Sequence, residues 1–248
     1  DENCNVYDVE LSEQRDIVYY TGESYVQKPK NKEAVYAYDL AKAKGQVILP
    51  SKLWSIGKIL PWNDCILMIA SEQKAYGLNE NGMFYLLHPD TGEVSLLASY
   101  EDATGSSVGS DCRYGGGSSI CLYKDTVYFI TTLFNRSAVY ALNDRGEITP
   151  VYDTEGSVDA IAFAKDQMYF IGMQDMRLQE LYVCDLHGEN RCLLTDFNEA
   201  YFAEKDVRPC VPCNILQGDM ELYGWVLEPR DYDPNKAYPA ILDKIGRA

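Results

Sequence analysis

The sequence predicts an all-β protein assembled from four-stranded blades, and three observations carry that prediction. Four segments repeat the same order of strand and turn signals. The turn between the third and fourth strand of each repeat carries a glycine: Gly45, Gly92, Gly146 and Gly188. The chain also holds 20 tyrosines, and tyrosine favours strands because its ring packs well on a half-buried pleated surface.

Each repeat opens on an apolar stretch that ends in aspartate. These are VYDVELSEQRD to Asp16, WSIGKILPWND to Asp64, SSICLYKD to Asp125 and VDAIAFAKD to Asp166. A β-rich run follows at once: IVYYTG, CILMIAS, TVYFITT and QMYFIGM. After a variable loop comes a third strand, AVYAYDL, MFYLLHP, AVYALND or ELYVCDL. The glycine turn then leads to a fourth, QVILP, VSLLAS, ITPVYD or RCLLTD. Glycine suits that place because tight hairpin turns demand positive φ.

Successive turn glycines lie 47, 54 and 42 residues apart. Four short strands at such a period are the pattern of a β-propeller blade. A sandwich would also contain many short strands, but not in this repeated order. The blades fill Val6 to Asp196, which assigns residues 1–200 to the propeller. A propeller typically has about 4 to 8 blades, so the pattern fits both a small closed ring and an incomplete arc of a larger one.

The longest interval contains EDATGSSVGSDCRYGGGSS, Glu101 to Ser119. A phosphate cradle would need a following helix N-terminus and usually a lysine, whereas here a strand follows. The stretch reads as a flexible loop between blades. Its functional alternative is a rim loop contacting substrate, with Asp111 and Arg113 as the polar contacts and Arg113 meeting a peptide carboxyl or carbonyl group in bidentate fashion.

Metal and cofactor sites are not expected. Cys210 and Cys213 form a Cys-Val-Pro-Cys pair, but zinc needs four ligands and no second pair exists. His88 and His187 both fall in turns. Cys65, Cys121 and Cys184 sit in apolar runs, where a thiol behaves as a small hydrophobe. Glu228, Asp231 and Asp233 lack the alternating spacing of a calcium loop and read as a solvated linker. Trp54 and Trp62 fall at strand spacing and are expected to pack between blades rather than to line a ligand groove.

After Tyr201 the pattern changes. A strand leads to a turn at Gln217, Gly218 and Asp219, then to a longer strand from Met220 to Leu227. A Pro- and Asp-rich loop follows, and then an apolar strand is expected over Ala240 to Leu242, of the kind buried on both faces of a parallel sheet. The run ELYGWVLEPRDYDPNKAYPAILD resembles the junction between propeller and catalytic domain in the prolyl oligopeptidase family of serine peptidases. The acylaminoacyl-peptidase and dipeptidyl-aminopeptidase branch fits best. Gly224, Trp225, Pro229, Tyr238, Pro239 and Asp243 match that run.

The specific part of the resemblance covers about the last 40 residues. It implies that residues 201–248 are a junction plus the truncated first strands of an α/β-hydrolase domain. It also implies a parent enzyme that cleaves short peptides near the N-terminus, with the propeller restricting access and contacting substrate. After Asp243 the family shows a His-Gly-Gly-Pro turn, whereas this chain reads Lys244-Ile245-Gly246-Arg247-Ala248. Gly105-Ser106-Ser107-Val108-Gly109 fits Gly-x-Ser-x-Gly by spacing, but it lies in the loop between blades, and no such elbow follows the junction run. Ser–His–Asp catalysis is therefore not expected of this chain by itself. The reading from another class is a stand-alone propeller serving as a binding or scaffold module.

The formal net charge of −16 argues against nucleic acid and anionic membrane surfaces, which need clustered Lys and Arg. No apolar run approaches the length of a membrane span. The chain starts at Asp1 with no signal-like apolar segment, for which a processed or a trimmed N-terminus would account. A cytoplasmic protein with reduced structural cysteines is expected. An open arc also exposes strand edges, so self-association through them is expected.

Overall fold

The computed structural model describes residues 3–25, 27–109 and 116–242. The chain divides into two units, Asp1–Glu199 and Ala200–Ala248. The first unit is a series of antiparallel meanders. Its first blade is β1 (Cys4–Leu11), β2 (Ile17–Ser24), β3 (Ala34–Asp39) and β4 (Lys44–Leu49). The second is β5 (Ser55–Trp62), β6 (Cys65–Ser71), β7 (Met83–Leu87) and β8 (Val94–Ala98). The third has five pieces: β9 (Ala103–Thr104), β10 (Ile120–Tyr123), β11 (Thr126–Leu133), β12 (Arg136–Leu142) and β13 (Ile148–Tyr152). The fourth is β14 (Ala160–Ala164), β15 (Gln167–Gly172), β16 (Glu180–Asp185) and β17 (Cys192–Leu193). In each blade the strands pair in chain order, with β9 added on β11.

The repeated aspartate has a backbone reason. Asn63 and Asp64, Lys124 and Asp125, and Lys165 and Asp166 all have positive φ, as a two-residue type I′ hairpin turn requires of both central positions. These turns also join blades. The Asp125 carbonyl accepts from Trp62 Nε1 at 3.2 Å, and Asp166 accepts from the Tyr123 hydroxyl at 3.0 Å and pairs with Lys124.

The turn glycines answer a different need. Gly146 and Gly188 have φ of 80° and 76°, and a Cβ at either would run into the backbone carbonyl of Leu97 or Val151 on the preceding blade. The glycine thus permits the turn of one blade to seat on the outer strand of the blade before it. The first blade departs from this rule. There the positive φ falls on Ala43, at 49°, and Gly45 lies inside β4 opposite Tyr38.

Three apolar cores lie between the four blades of the first unit. Tyr19, Val35, Ala37 and Leu49 of the first blade pack with Trp54, Ile59, Ile66, Met68 and Leu87 around the second. Trp62, Leu67, Ile69 and Phe84 pack with Ile120, Val127, Phe129 and Leu142 of the third. Tyr128, Ile130, Val139 and Tyr152 pack with Ile161, Met168, Phe170, Tyr182 and Cys184 of the fourth. A closed ring of four would need a fourth core. Among the described residues there is none between the fourth blade and the first, so the blades form an open arc. Both Trp54 and Trp62 are core residues of these interfaces.

In the second unit, β18 (Val211–Gln217) and β19 (Met220–Val226) form a hairpin whose turn carries Gly218 at φ 63°. Ala240 to Leu242 is not a strand, contrary to expectation. A strand is defined by its ladder partner, and no neighbouring strand is present for this run among the described residues.

Candidate functional site

Because strands alternate in direction, the connections sort onto two rims. The short β1–β2 and β3–β4 type turns share one. The long connections 25–33, 72–82 and 173–179, together with the segments that lead from one blade to the next, share the other. Long connections on a rigid scaffold are where binding residues concentrate, and the long-connection rim is where polar side chains are buried.

The described arms of the loop singled out in the sequence, 105–109 and 116–119, lie on that rim, and their origin is visible in the ladder. β1 and β5, the first strands of their blades, each carry a bulge, between Val6 and Asp8 and between Ile56 and Lys58. In the third blade the corresponding strand is interrupted altogether. β9 pairs with Thr131 and Thr132, β10 pairs with Thr126 to Phe129, and Ile130 stands between them. The Gly105 N–H donates to the Ile130 carbonyl at 2.7 Å, and the Ile130 N–H donates to the Ser119 carbonyl at 2.8 Å. The excursion leaves and returns at one residue, where two other blades carry a single extra residue.

Its two arms are held by hydroxyls and one carboxylate. Thr132 Oγ1 donates to the Gly105 carbonyl at 2.8 Å and accepts from the Ser107 N–H at 3.0 Å. Tyr100 OH donates to Thr131 Oγ1 at 2.7 Å, and burial pushes the Tyr100 phenol up to about 12. Ser106 Oγ reaches Ser137 Oγ at 3.2 Å and Asp159 Oδ1 at 3.1 Å. Asp159 Oδ2 accepts from Ser157 Oγ at 3.1 Å and Gln179 Nε2 at 3.3 Å. The returning arm joins the fourth blade, where the Ile161 N–H donates to the Ser118 carbonyl at 2.9 Å.

Neighbouring connections are held by buried acids in the same manner. Glu23 accepts from the backbone of Lys30 and Asn31. Glu33 accepts from the Ile56 N–H at 2.7 Å, and burial raises its pKa. Glu180 is fully buried and accepts from Thr195 Oγ1, the Phe197 N–H and both nitrogens of Asn198. Burial opposes its charge, but these hydrogen bonds outweigh that and hold its pKa below the usual carboxylate value. On the inner strands, Lys58 Nζ pairs with Asp8 at 2.7 Å and Glu10 at 2.8 Å. A pocket of about 200 Å³ beside it is lined by Gly57, Thr104, Gly105, Ile130 and others.

This arrangement positions a loop; it does not activate a nucleophile. The Ser106, Ser137 and Ser157 hydroxyls are engaged with each other, Asp159 and backbone, with no histidine among their partners. His88 Nδ1 instead lies 3.3 Å from Cys65 Sγ, where burial followed by the Asp64 charge raises the thiol pKa. A raised thiol is the opposite of what a catalytic cysteine needs. Among the described residues no group of three metal-ligating side chains occurs. Cys213 lies in β18 and Cys210 just before it, and both thiols are free.

Asp111 and Arg113 lie outside the described residues. The Ser137, Ser157 and Asp159 cluster went unnoticed in the sequence. Its signal is faint: small polar residues stand at the strand ends of two blades where the other repeats place different residue types.

No protein-family model matches the chain, and no curated protein matches it by sequence. Solved structures do match. The chain superposes on the acylaminoacyl peptidase of Pyrococcus horikoshii with a TM-score of 0.67 and 17% identity, over 92% of this chain and 32% of that one. Against puromycin hydrolase the TM-score is 0.58 at 11% identity, over 88% of this chain and 32% of that one. Against the β-propeller domain of the Trilobed protease from Pyrococcus furiosus it is 0.54 at 16% identity, over 79% and 55%. The chain spans about a third of the length of the acylaminoacyl peptidase. At these identities the likeness establishes the fold alone: the chain is a β-propeller arc, the fold of the Trilobed protease domain on which it superposes.

Proposed function

We propose that the chain is the non-catalytic propeller part of a serine peptidase of the prolyl oligopeptidase family, acting on short peptides. Its long-connection rim limits access to the active site and contributes substrate contacts, Asp111 and Arg113 among them. The chief support is the propeller fold shared with the acylaminoacyl peptidase across 92% of the chain. The junction residues Gly224, Trp225, Pro229, Tyr238 and Pro239 support the same reading from sequence. Residues 201–248 then lead into an α/β-hydrolase domain. We place the protein in the cytoplasm, where its scattered cysteines stay reduced.

Two measurements test this. Acyl-peptide and dipeptidyl anilides incubated with the purified chain should show no hydrolysis, and turnover would refute the non-catalytic assignment. The coding sequence beyond Asp243 should contain a His-Gly-Gly turn and a Gly-x-Ser-x-Gly elbow. A stop codon directly after Ala248 would overturn the peptidase reading in favour of a stand-alone binding module.

A further inference from the structure

The long-connection rim is uneven in charge. Three segments meet on it at the junction of the first and second blades: 25–33, 50–54 and 72–82. Lys32 Nζ donates to the Glu72 carbonyl at 3.1 Å, Ser51 Oγ donates to the Lys32 carbonyl, and the Glu33 N–H donates to the Trp54 carbonyl at 2.9 Å. These segments hold five lysines, Lys28, Lys30, Lys32, Lys52 and Lys74, in a chain where Asp and Glu outnumber Lys and Arg by 38 to 22. Their three glutamates are already engaged. Glu33 accepts from the Ile56 N–H, Glu80 accepts from the N–H groups of Gln73, Ala75 and Tyr76, and Glu72 pairs with Lys74. Among the described residues of the three segments no acid is exposed, whereas Lys52 and Lys74 are.

The 72–82 connection also presents apolar side chains on a fixed frame. Tyr76 is 77% exposed and Leu78 73%. Between them Gly77 has φ 59° and opens a single 3-10 turn, Gly77–Asn79. The three N–H groups on Glu80 close the loop, and they hold that carboxyl below its usual pKa. Asn81 Nδ2 ties the outgoing end to the Glu101 carbonyl at 2.7 Å. A loop held in this way offers its side chains without the entropy loss of ordering them on contact. The second blade is packed between two others, so the exposure of its loop does not come from the want of an adjoining blade.

We propose that this junction binds a short acidic peptide, its carboxylates on the lysines and an apolar side chain against Tyr76 and Leu78. The inference deepens the peptidase reading, on which the choice of a free peptide as ligand rests, and it names the class: peptides that carry Asp or Glu. Charge complementarity selects an anionic partner, and the rest of the rim limits its size. Further round, the exposed charges include Glu101, Asp102, Asp153, Glu155 and Asp175. Double-stranded nucleic acid carries one negative charge per about 1.7 Å of its axis, and an anionic membrane is a continuous sheet. Either would run from the lysines onto these acids. A peptide of a few residues can end on the lysines.

The test is fluorescence anisotropy of a rhodamine-labelled octapeptide of Glu and Gly with one Phe, against its counterpart with Lys in place of Glu, at low ionic strength. The net charge of −16 by itself favours the lysine peptide. The proposal expects the reverse, with the acidic peptide bound about tenfold more tightly and released by added salt. Lys52→Glu with Lys74→Glu should weaken the acidic peptide about tenfold, and Tyr76→Ser with Leu78→Ser by a similar factor. Lys44→Glu with Lys165→Glu makes the same change of charge on the short-turn rim and should alter binding by less than about twofold. Far-UV circular dichroism checks that each variant is folded. No binding of the acidic peptide, tighter binding of the lysine peptide, or equal loss in the two charge-reversed variants would overturn the proposal. So would a labelled oligothymidylate bound more tightly than the acidic peptide, which would make the junction a nucleic-acid site. None of these outcomes bears on the His-Gly-Gly turn expected beyond Asp243, so the two readings fail separately.

Discussion

Replacing Gly188 by alanine should unfold the propeller unit far more readily than the same change at Gly77, and the difference measures how tightly one blade seats on the next. Both glycines have positive φ, 76° and 59°. An alanine in that region costs about 1–2 kcal/mol through its clash with the following carbonyl. At Gly77 the added Cβ meets nothing within 4 Å, so the backbone cost is the whole effect. At Gly188 the Cβ is driven into the Val151 carbonyl, and Val151 C and Tyr152 Cα also lie within 3.2 Å. Relief requires the turn to lift off the third blade. Forced overpacking costs about 1–3 kcal/mol more, giving about 2–5 kcal/mol for Gly188→Ala. With a urea slope in the upper part of the range of about 1–3 kcal/mol per M, as a unit of this size has, the midpoint should fall by about 1–2 M. Gly92→Ala should lie between the two, because its Cβ would sit 2.9 Å from the Ile48 carbonyl. Urea unfolding followed by circular dichroism gives all three values. If Gly188→Ala costs no more than Gly77→Ala, the seating of turn on blade is not what the glycine serves.

The Tyr182 hydroxyl is buried with no hydrogen-bond partner among the described residues, so Tyr182→Phe should leave stability unchanged or raise it by up to about 1 kcal/mol; a loss larger than that would reveal a partner. Asp159→Ala should cost about 1–3 kcal/mol by stranding Ser106, Ser157 and Gln179, and should speed hydrogen exchange at the Ser107 and Ile161 amides, whereas unchanged exchange would show that the loop arms do not depend on this carboxylate. Glu180 supplies the pH dependence. Its folded pKa is lowered, so the unfolded state takes up the proton first, and the stabilisation is present above the unfolded value and lost as pH falls through the folded one. Unfolding free energy should therefore drop between about pH 5 and pH 3, and Glu180→Gln should flatten that slope; an equally steep variant would assign the acid response to other groups.

Much of the fold was legible because a blade is a local object. Its four strands are consecutive, so alternation, aspartate turns and glycine turns all lie within reach of one another along the chain. The apolar runs that read as strands became β2, β6, β11 and β15, and Trp62 and Phe84 went into cores between blades. Two local readings failed for one reason. The repeat places Gly45 in a turn, but the turn of the first blade has its positive φ at Ala43. The apolar content of Ala240 to Leu242 predicts a strand, yet hydrophobicity cannot by itself provide a ladder partner.

What the sequence alone determined is the blade: its strand order, its turns and the alternation that makes each sheet apolar on both faces. Whether the blades close and which side chains hold the rim were decided only in three dimensions. The excursion from Gly105 to Ser119 read as a spacer between blades, and only the ladder shows it to be an interrupted inner strand pinned on Ile130. Asp159 and its neighbour Ser157 meet Ser106 and Gln179 from two other stretches of chain, a convergence that no local pattern records. Closure depends on faces that meet across blades, and a repeat read along the chain carries the pattern of each face but not its partner.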